Sequence, residues 1–332
     1  MKNIKNIALF ICSLFASIIL AEYFFRIYID YNLIYGMEMH KYAKKLKRPS
    51  SIIGLSHEHL PSSKAKLMGV DVAINGFGIR DNFIPIEKKN NENRILVIGS
   101  SITLGWGVEY DSIFTTKLEY SLNNIKNDKK YEVINAGIGN YNTEMEVIYT
   151  KSILDETNPD MIILHFFLND VEILDHNNQS FILKNSYLAA QFYLKLMQSK
   201  YFASGSFNSL GEYYLSMYEG GYQGKNSAQK ALIELNTLCR SKEINFLVLI
   251  QPDLSDLSYR SGQFKCHKIL RVFLENNNIP YLDFFDDFSK NFINNPTELW
   301  VSYDDSHPNS IGHDIIYKSL LNYLRLNTSL IN

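Results

Sequence analysis

Two short stretches near opposite ends of the chain hold residue types that can act together as a nucleophile and its base. Gly99-Ser100-Ser101-Ile102-Thr103-Leu104-Gly105 follows the apolar run RILVI. Its small residues allow a sharp turn that lifts a serine hydroxyl clear of the backbone. Asp304-Asp305-Ser306-His307-Pro308-Asn309 lies close to the C-terminus. A nucleophilic serine needs a base within hydrogen-bond reach, and the base needs a carboxylate to orient it. Spacing alone selects Asp304, three residues before His307, as that carboxylate, with Ser101 as nucleophile and His307 as base. Between them lie Asn135-Ala136-Gly137-Ile138-Gly139-Asn140-Tyr141-Asn142-Thr143 and Phe167-Leu168-Asn169-Asp170, each directly after an apolar run. A backbone N–H and an asparagine amide are both good donors to a developing oxyanion. Each motif also has a plainer reading. The first is a glycine-rich turn, although it matches neither GxxxxGK[ST] nor GxGxxG. The last is a helix cap next to a proline, and the middle two are turn signals.

These motifs must be carried by elements that bring them to one place. From Arg94 onward, apolar runs alternate with helical stretches. RILVIG, YEVINAG, PDMIILHFF, INFLVLIQP and IPYLDFF read as strands, and NSIGHDIIYKSLLNYL reads as an amphipathic closing helix. Such alternation predicts a parallel sheet covered on both faces. A serine after the first of these strands then sits at the carboxyl edge of the sheet, where such folds place their sites. Asn140 and Asn169 follow the next two strands and fall on the same edge. A Tyr-rich helical stretch over residues 171–222 interrupts the alternation.

Taken in order, the four motifs resemble those of the SGNH hydrolase superfamily, the GDSL-like lipases and esterases. The resemblance covers about residues 94–325. Ser101 matches the block I serine, Asn140 the block II position, Asn169 the block III asparagine, and Asp304 with His307 the block V DxxH. The resemblance implies a three-layer α/β/α, flavodoxin-like fold. It also implies an acyl-enzyme mechanism with the catalytic triad Ser101, Asp304 and His307, and an oxyanion hole built from Ser101, Asn140 and Asn169. The stretch MGVDVAINGFGIRD resembles a leader in membrane-anchored members linked to bacterial envelope polysaccharides. Three positions depart from the family pattern. Ser100 stands for the usual Asp, Asn140 for the usual Gly, and Phe167 for a common Gly before Asn169.

The remainder of the chain bounds the setting. Of 332 residues, 46% are hydrophobic, enough for a sizeable core. Lys and Arg number 33 against 35 Asp and Glu, without the basic excess that nucleic-acid binding needs. Lys2 and Lys5 precede IALFICSLFASIILAEYFF, in which Glu22 is the single charge. That run is long enough to cross a bilayer, and it lacks a good small-x-small cleavage pattern. The expected organisation is a transmembrane anchor over residues 1–25, a stalk with a small β-containing segment over 26–93, and the hydrolase domain over 94–327. The soluble part is expected outside the cytoplasmic membrane.

Cys12, Cys239 and Cys266 lack metal or redox spacing, and unpaired thiols are expected over a Cys239–Cys266 disulfide. His57-Glu58-His59 lacks a third metal ligand nearby, and His165 and His313 read as packing histidines. No metal or organic cofactor is expected. The expected function is a serine esterase acting on O-acyl, chiefly O-acetyl, esters of a cell-envelope glycan. The alternatives are an acyltransferase that receives its acyl group from a membrane partner, and a non-catalytic scaffold on the same fold.

Overall fold

The computed structural model describes residues 2–83, 87–125, 128–174, 180–203, 207, 209–328 and 330–331. It comprises two compact units, one of residues 1–44 with 176–206 and one of residues 45–175 with 207–332. The sheet is built as the sequence predicts, but the division of the chain differs. Residues 45–93 fall in the same compact unit as residues 94–175 and 207–332. Of the interruption expected over 171–222, only 176–206 leaves that unit.

In the smaller unit, α1 (Lys2–Asn32) is long and apolar enough to cross a membrane. After a break at Leu33, whose φ is 49°, α2 (Tyr35–Leu46) follows and runs into the larger unit. The other pieces of the smaller unit are α6 (Phe181–Asn185) and α7 (Tyr187–Ala203). Glu22, the charge inside the apolar run, has a structural use. Its carboxylate accepts from Ser186 Oγ at 2.9 Å and from the Tyr187 and Leu188 N–H groups at 2.8 and 3.1 Å. It thereby caps the N-terminus of α7, whose first N–H groups have no partner within the helix. Arg26 pairs with Glu22 at 2.8 Å and lies over the Tyr187 ring.

The larger unit starts with two small hairpins, β1 (Lys47–Pro49) with β2 (His57–His59) and β3 (Lys64–Leu67) with β4 (Val70–Ala73). Its core is a parallel sheet of β5 (Glu92–Gly99), β6 (Lys130–Asn135), β7 (Met161–Phe167), β8 (Asn245–Gln251) and β9 (Tyr281–Asp283). The strand order is β6-β5-β7-β8-β9. Successive side chains of a strand face opposite ways, so β5 serves two cores. Leu96 and Ile98 pack with α5 (Thr143–Thr157), α8 (Leu210–Tyr218), α9 (Gln223–Ser241) and α10 (Gly262–Asn276). Ile95 and Val97 pack with α4 (Phe114–Asn123), α11 (Phe285–Phe292) and α12 (Ser310–Asn327). The result is a three-layer α/β/α sandwich. Burial on both faces explains why the strands read as continuous apolar runs and not as alternating ones. Cys239 and Cys266 are free thiols buried in the first of these cores. A last hairpin, β10 (Trp300–Ser302) with β11 (Asp305–Pro308), leads into α12.

Candidate active site

β5 ends at Gly99, and Ser101 opens the four-residue helix α3 (Ser101–Leu104), which Gly105 closes in left-handed conformation at φ 79°. The helix is seated tightly: a Cβ on Gly137 would collide with the backbone of Thr103 and Leu104. Arg80, buried, donates to the carbonyls of Leu104, Gly105 and Val108 at 3.2, 2.7 and 2.8 Å. Its neighbour Asp81 accepts the Asn135 N–H at 2.8 Å, at the start of the loop that leads to Asn140. The MGVDVAINGFGIRD segment is therefore part of the wall behind the serine. The sequence flagged that segment, but not these two residues. The signal available was an Arg-Asp pair ending a glycine-rich stretch.

Ser101 Oγ lies 2.7 Å from His307 Nε2. His307 Nδ1 lies 2.5 Å from Asp305 Oδ1. The carboxylate that contacts the His307 ring is thus that of Asp305, where the motif spacing named Asp304. The cause is the hairpin. Ser302 pairs with Asp305 across a two-residue turn of Tyr303 and Asp304. Asp305 and His307 are two residues apart on one strand and share a face. Asp304, at the turn, is exposed and accepts from Ser302 Oγ at 2.6 Å. Asp305 is buried, and Trp106 Nε1 donates to its Oδ2 at 2.8 Å. Burial alone would raise the Asp305 pKa. The His307 charge, the His307 side-chain and backbone donors and Trp106 outweigh it, holding the carboxyl below the usual range. Trp106 is a further residue that spacing did not single out. Asn309 caps α12, accepting from the Ile311 and Gly312 N–H groups, so the helix-cap reading of this stretch also holds, one residue beyond Pro308.

The donors expected for an oxyanion have their protons available. The Ser101 N–H is the first of α3 and has no partner within the helix. Asn140 has φ 67°, a left-handed conformation that asparagine tolerates better than most residues. Its N–H donates to no protein acceptor among the described residues. The Ile138 N–H bonds the Gly99 carbonyl at 3.0 Å, which sets this loop beside the strand end that carries Ser101. Asn169 lies half-buried in a short 3-10 turn (Leu168–Val171) after β7, and its amide is likewise without a protein acceptor among the described residues.

Behind these groups sit two fully buried carboxyls, Glu146 on α5 and Asp170 next to Asn169. Asp170 Oδ2 accepts the Phe167 N–H at 2.6 Å, while both Glu146 oxygens lack a hydrogen-bond partner among the described residues. Burial pushes both pKa values up, with a further rise at Glu146 from Asp170 and at Asp170 from Glu172. Ser100 faces Asp170. An Asp at position 100 would add a third acid to this pocket, which gives the serine there a physical reason.

Four other histidines of this unit make local contacts. His165 is buried, between Thr103 Oγ1 at 3.1 Å and Gln251 Oε1 at 3.3 Å, and burial takes its pKa down to about 4. His313 Nδ1 accepts the Phe114 N–H at 3.2 Å, and burial lowers its pKa to about 3. His59 bonds the Gly78 carbonyl at 3.0 Å, and His57 the Gly139 carbonyl at 3.0 Å.

No family model and no curated protein matches the chain. Among solved structures, it is similar to a two-domain esterase active on acetylated mannans, at 16% identity and a TM-score of 0.43, covering 71% of this chain and 49% of that one. It is similar to an acetyl xylan esterase at 18% identity and a TM-score of 0.45, covering 70% and 99%. It is also similar to a protein from Desulfitobacterium hafniense described as lipolytic and of the G-D-S-L family, at 13% identity and a TM-score of 0.43, covering 69% and 98%. On its own geometry, the chain is a parallel α/β/α sandwich whose sheet edge sets a serine, a histidine and an aspartate in hydrogen-bonded line.

Proposed function

We propose that this chain is a serine esterase of the SGNH type that cleaves O-acyl esters, with O-acetyl groups of a cell-envelope glycan as the substrate class. The observation that carries the reading is the unbroken contact from Ser101 Oγ through His307 to the buried Asp305. His307 Nε2 takes the hydroxyl proton as Ser101 attacks the ester carbonyl. Asp305 keeps the imidazole in the tautomer with its proton on Nδ1 and stabilises the cation that forms. The N–H groups of Ser101 and Asn140 and the amide of Asn169 receive the oxyanion. The alcohol leaves with the proton from His307, and water, activated by the same base, releases the acid from the acyl-enzyme. The apolar α1 supports a membrane-anchored enzyme. The same acyl-enzyme would serve a transferase if a sugar hydroxyl replaced water.

The test is release of nitrophenol and acetate from nitrophenyl acetate, with and without an oligosaccharide acceptor. Loss of both products in Ser101→Ala is expected. Unchanged turnover in that variant removes the reading, and acetylated sugar formed at the expense of free acetate shifts it to transfer.

A further inference from the structure

The first hairpin of the larger unit grips the turn that carries Asn140. Lys47 Nζ, on β1, donates to the Gly139 carbonyl at 2.7 Å and to Asn140 Oδ1 at 3.0 Å. His57, on β2, reaches the same carbonyl through Nε2 at 3.0 Å. A carbonyl only accepts, so Nε2 carries the proton and Nδ1 faces the Ser56 hydroxyl at 2.8 Å. The grip is returned from the other side, since Tyr141 OH donates to the His57 carbonyl at 2.6 Å and the two rings lie 5.1 Å apart. Two residues, one from each strand of the hairpin, thus converge on one peptide unit.

That peptide joins Gly139 to Asn140. It is planar and trans, so its C=O and its N–H point in opposite directions. Two donors that hold the Gly139 oxygen therefore fix the direction of the Asn140 N–H. They also polarise the peptide, and a hydrogen bond accepted at the oxygen strengthens the one donated at the nitrogen. The left-handed φ of Asn140 needs such support, because a residue with a Cβ pays for that conformation.

We propose that Lys47 and His57 are positioning residues that aim and polarise the Asn140 N–H as an oxyanion donor. The inference rests on the serine-esterase reading above. Neither residue touches the reacting atoms; both act through the Gly139–Asn140 peptide.

The test uses the full-length chain in detergent. Lys47→Met keeps the alkyl stem, and His57→Phe keeps a ring against Tyr141. Each is expected to lower kcat for nitrophenyl acetate by about 10- to 100-fold with KM within about twofold, as a misdirected oxyanion donor acts on the transition state. Affinity for a boronic acid, which forms a tetrahedral anion on Ser101, should fall in proportion to kcat/KM. Lys47→Arg, which restores a donor, should recover most of kcat. Wild-type kcat in both variants overturns the inference. So does a fall in kcat that leaves boronate affinity unchanged, because damage unrelated to the oxyanion would look like that. A wild-type chain without Ser101-dependent turnover overturns the esterase reading and this inference together, whereas active wild type with indifferent variants overturns the inference alone.

Discussion

Adjacent aspartates in one hairpin carry opposite expectations. Asp305→Asn leaves the geometry but disturbs the tautomer of His307, so kcat for nitrophenyl acetate should fall by about 10³- to 10⁴-fold. Asp304→Asn, at an exposed turn, should stay within about twofold of wild type. Steady-state kinetics of the two variants at one pH settles the assignment. Ser100→Asp, which restores the common family residue, should be harmful here. It would crowd a third acid against Asp170 and Glu146, and a lower Tm by differential scanning calorimetry is the expected result. Glu146→Gln should show the reverse. Burial raises the Glu146 pKa, so folding takes up a proton there once the pH exceeds the value of an unfolded Glu. Wild-type stability is then lost as pH rises from that unfolded value towards the raised one. The Gln variant removes that loss, and its Tm advantage over wild type should be larger at pH 8 than at pH 5.

Among elements, α3 depends on contacts that leave no room. Gly137→Ala would drive a methyl group into the backbone of Thr103 and Leu104, and a cost of about 3 kcal/mol is expected by urea denaturation. In the smaller unit, Glu22→Ala removes the cap of α7, worth about 1–2 kcal/mol. Faster proteolysis within Tyr187–Ala203 than in wild type is the measurement. These elements also show what the sequence makes visible. The parallel strands were legible because burial on both faces writes continuous apolar runs, and the placement of Ser101, Asn140 and Asn169 beyond the strand ends was legible because each follows such a run. Asp305 was not, because motif spacing ignores strand parity: only once residues 305–308 are seen as a strand do positions 305 and 307 share a face. Arg80 and Trp106 escaped for a different reason. Their partners are backbone carbonyls and a carboxylate 199 residues away, and no local pattern encodes such contacts. The small hairpins were legible only as a β-containing segment ahead of Arg94, and their place behind the site required the fold.

For the whole molecule, α1 predicts that the intact chain stays with membranes through a carbonate wash at high pH. A soluble product that starts after Ala21 would contradict an uncleaved anchor. The buried thiols Cys239 and Cys266 should react with a thiol reagent only on unfolding, and recovery of a Cys239–Cys266 disulfide would contradict the packed core. The distance along the chain between Ser101 and His307 has a consequence in time. The two are 206 residues apart. At synthesis rates of about 5–20 residues per second, His307 is made roughly 10–40 s after Ser101. β5 is made just before the serine, and the other four core strands, β6 to β9, are all made in that interval. On the proposed mechanism, a nascent or truncated chain can thus build much of its sheet and still lack the histidine that would make the serine reactive, so that the hydroxyl stays silent until the last hairpin is in place.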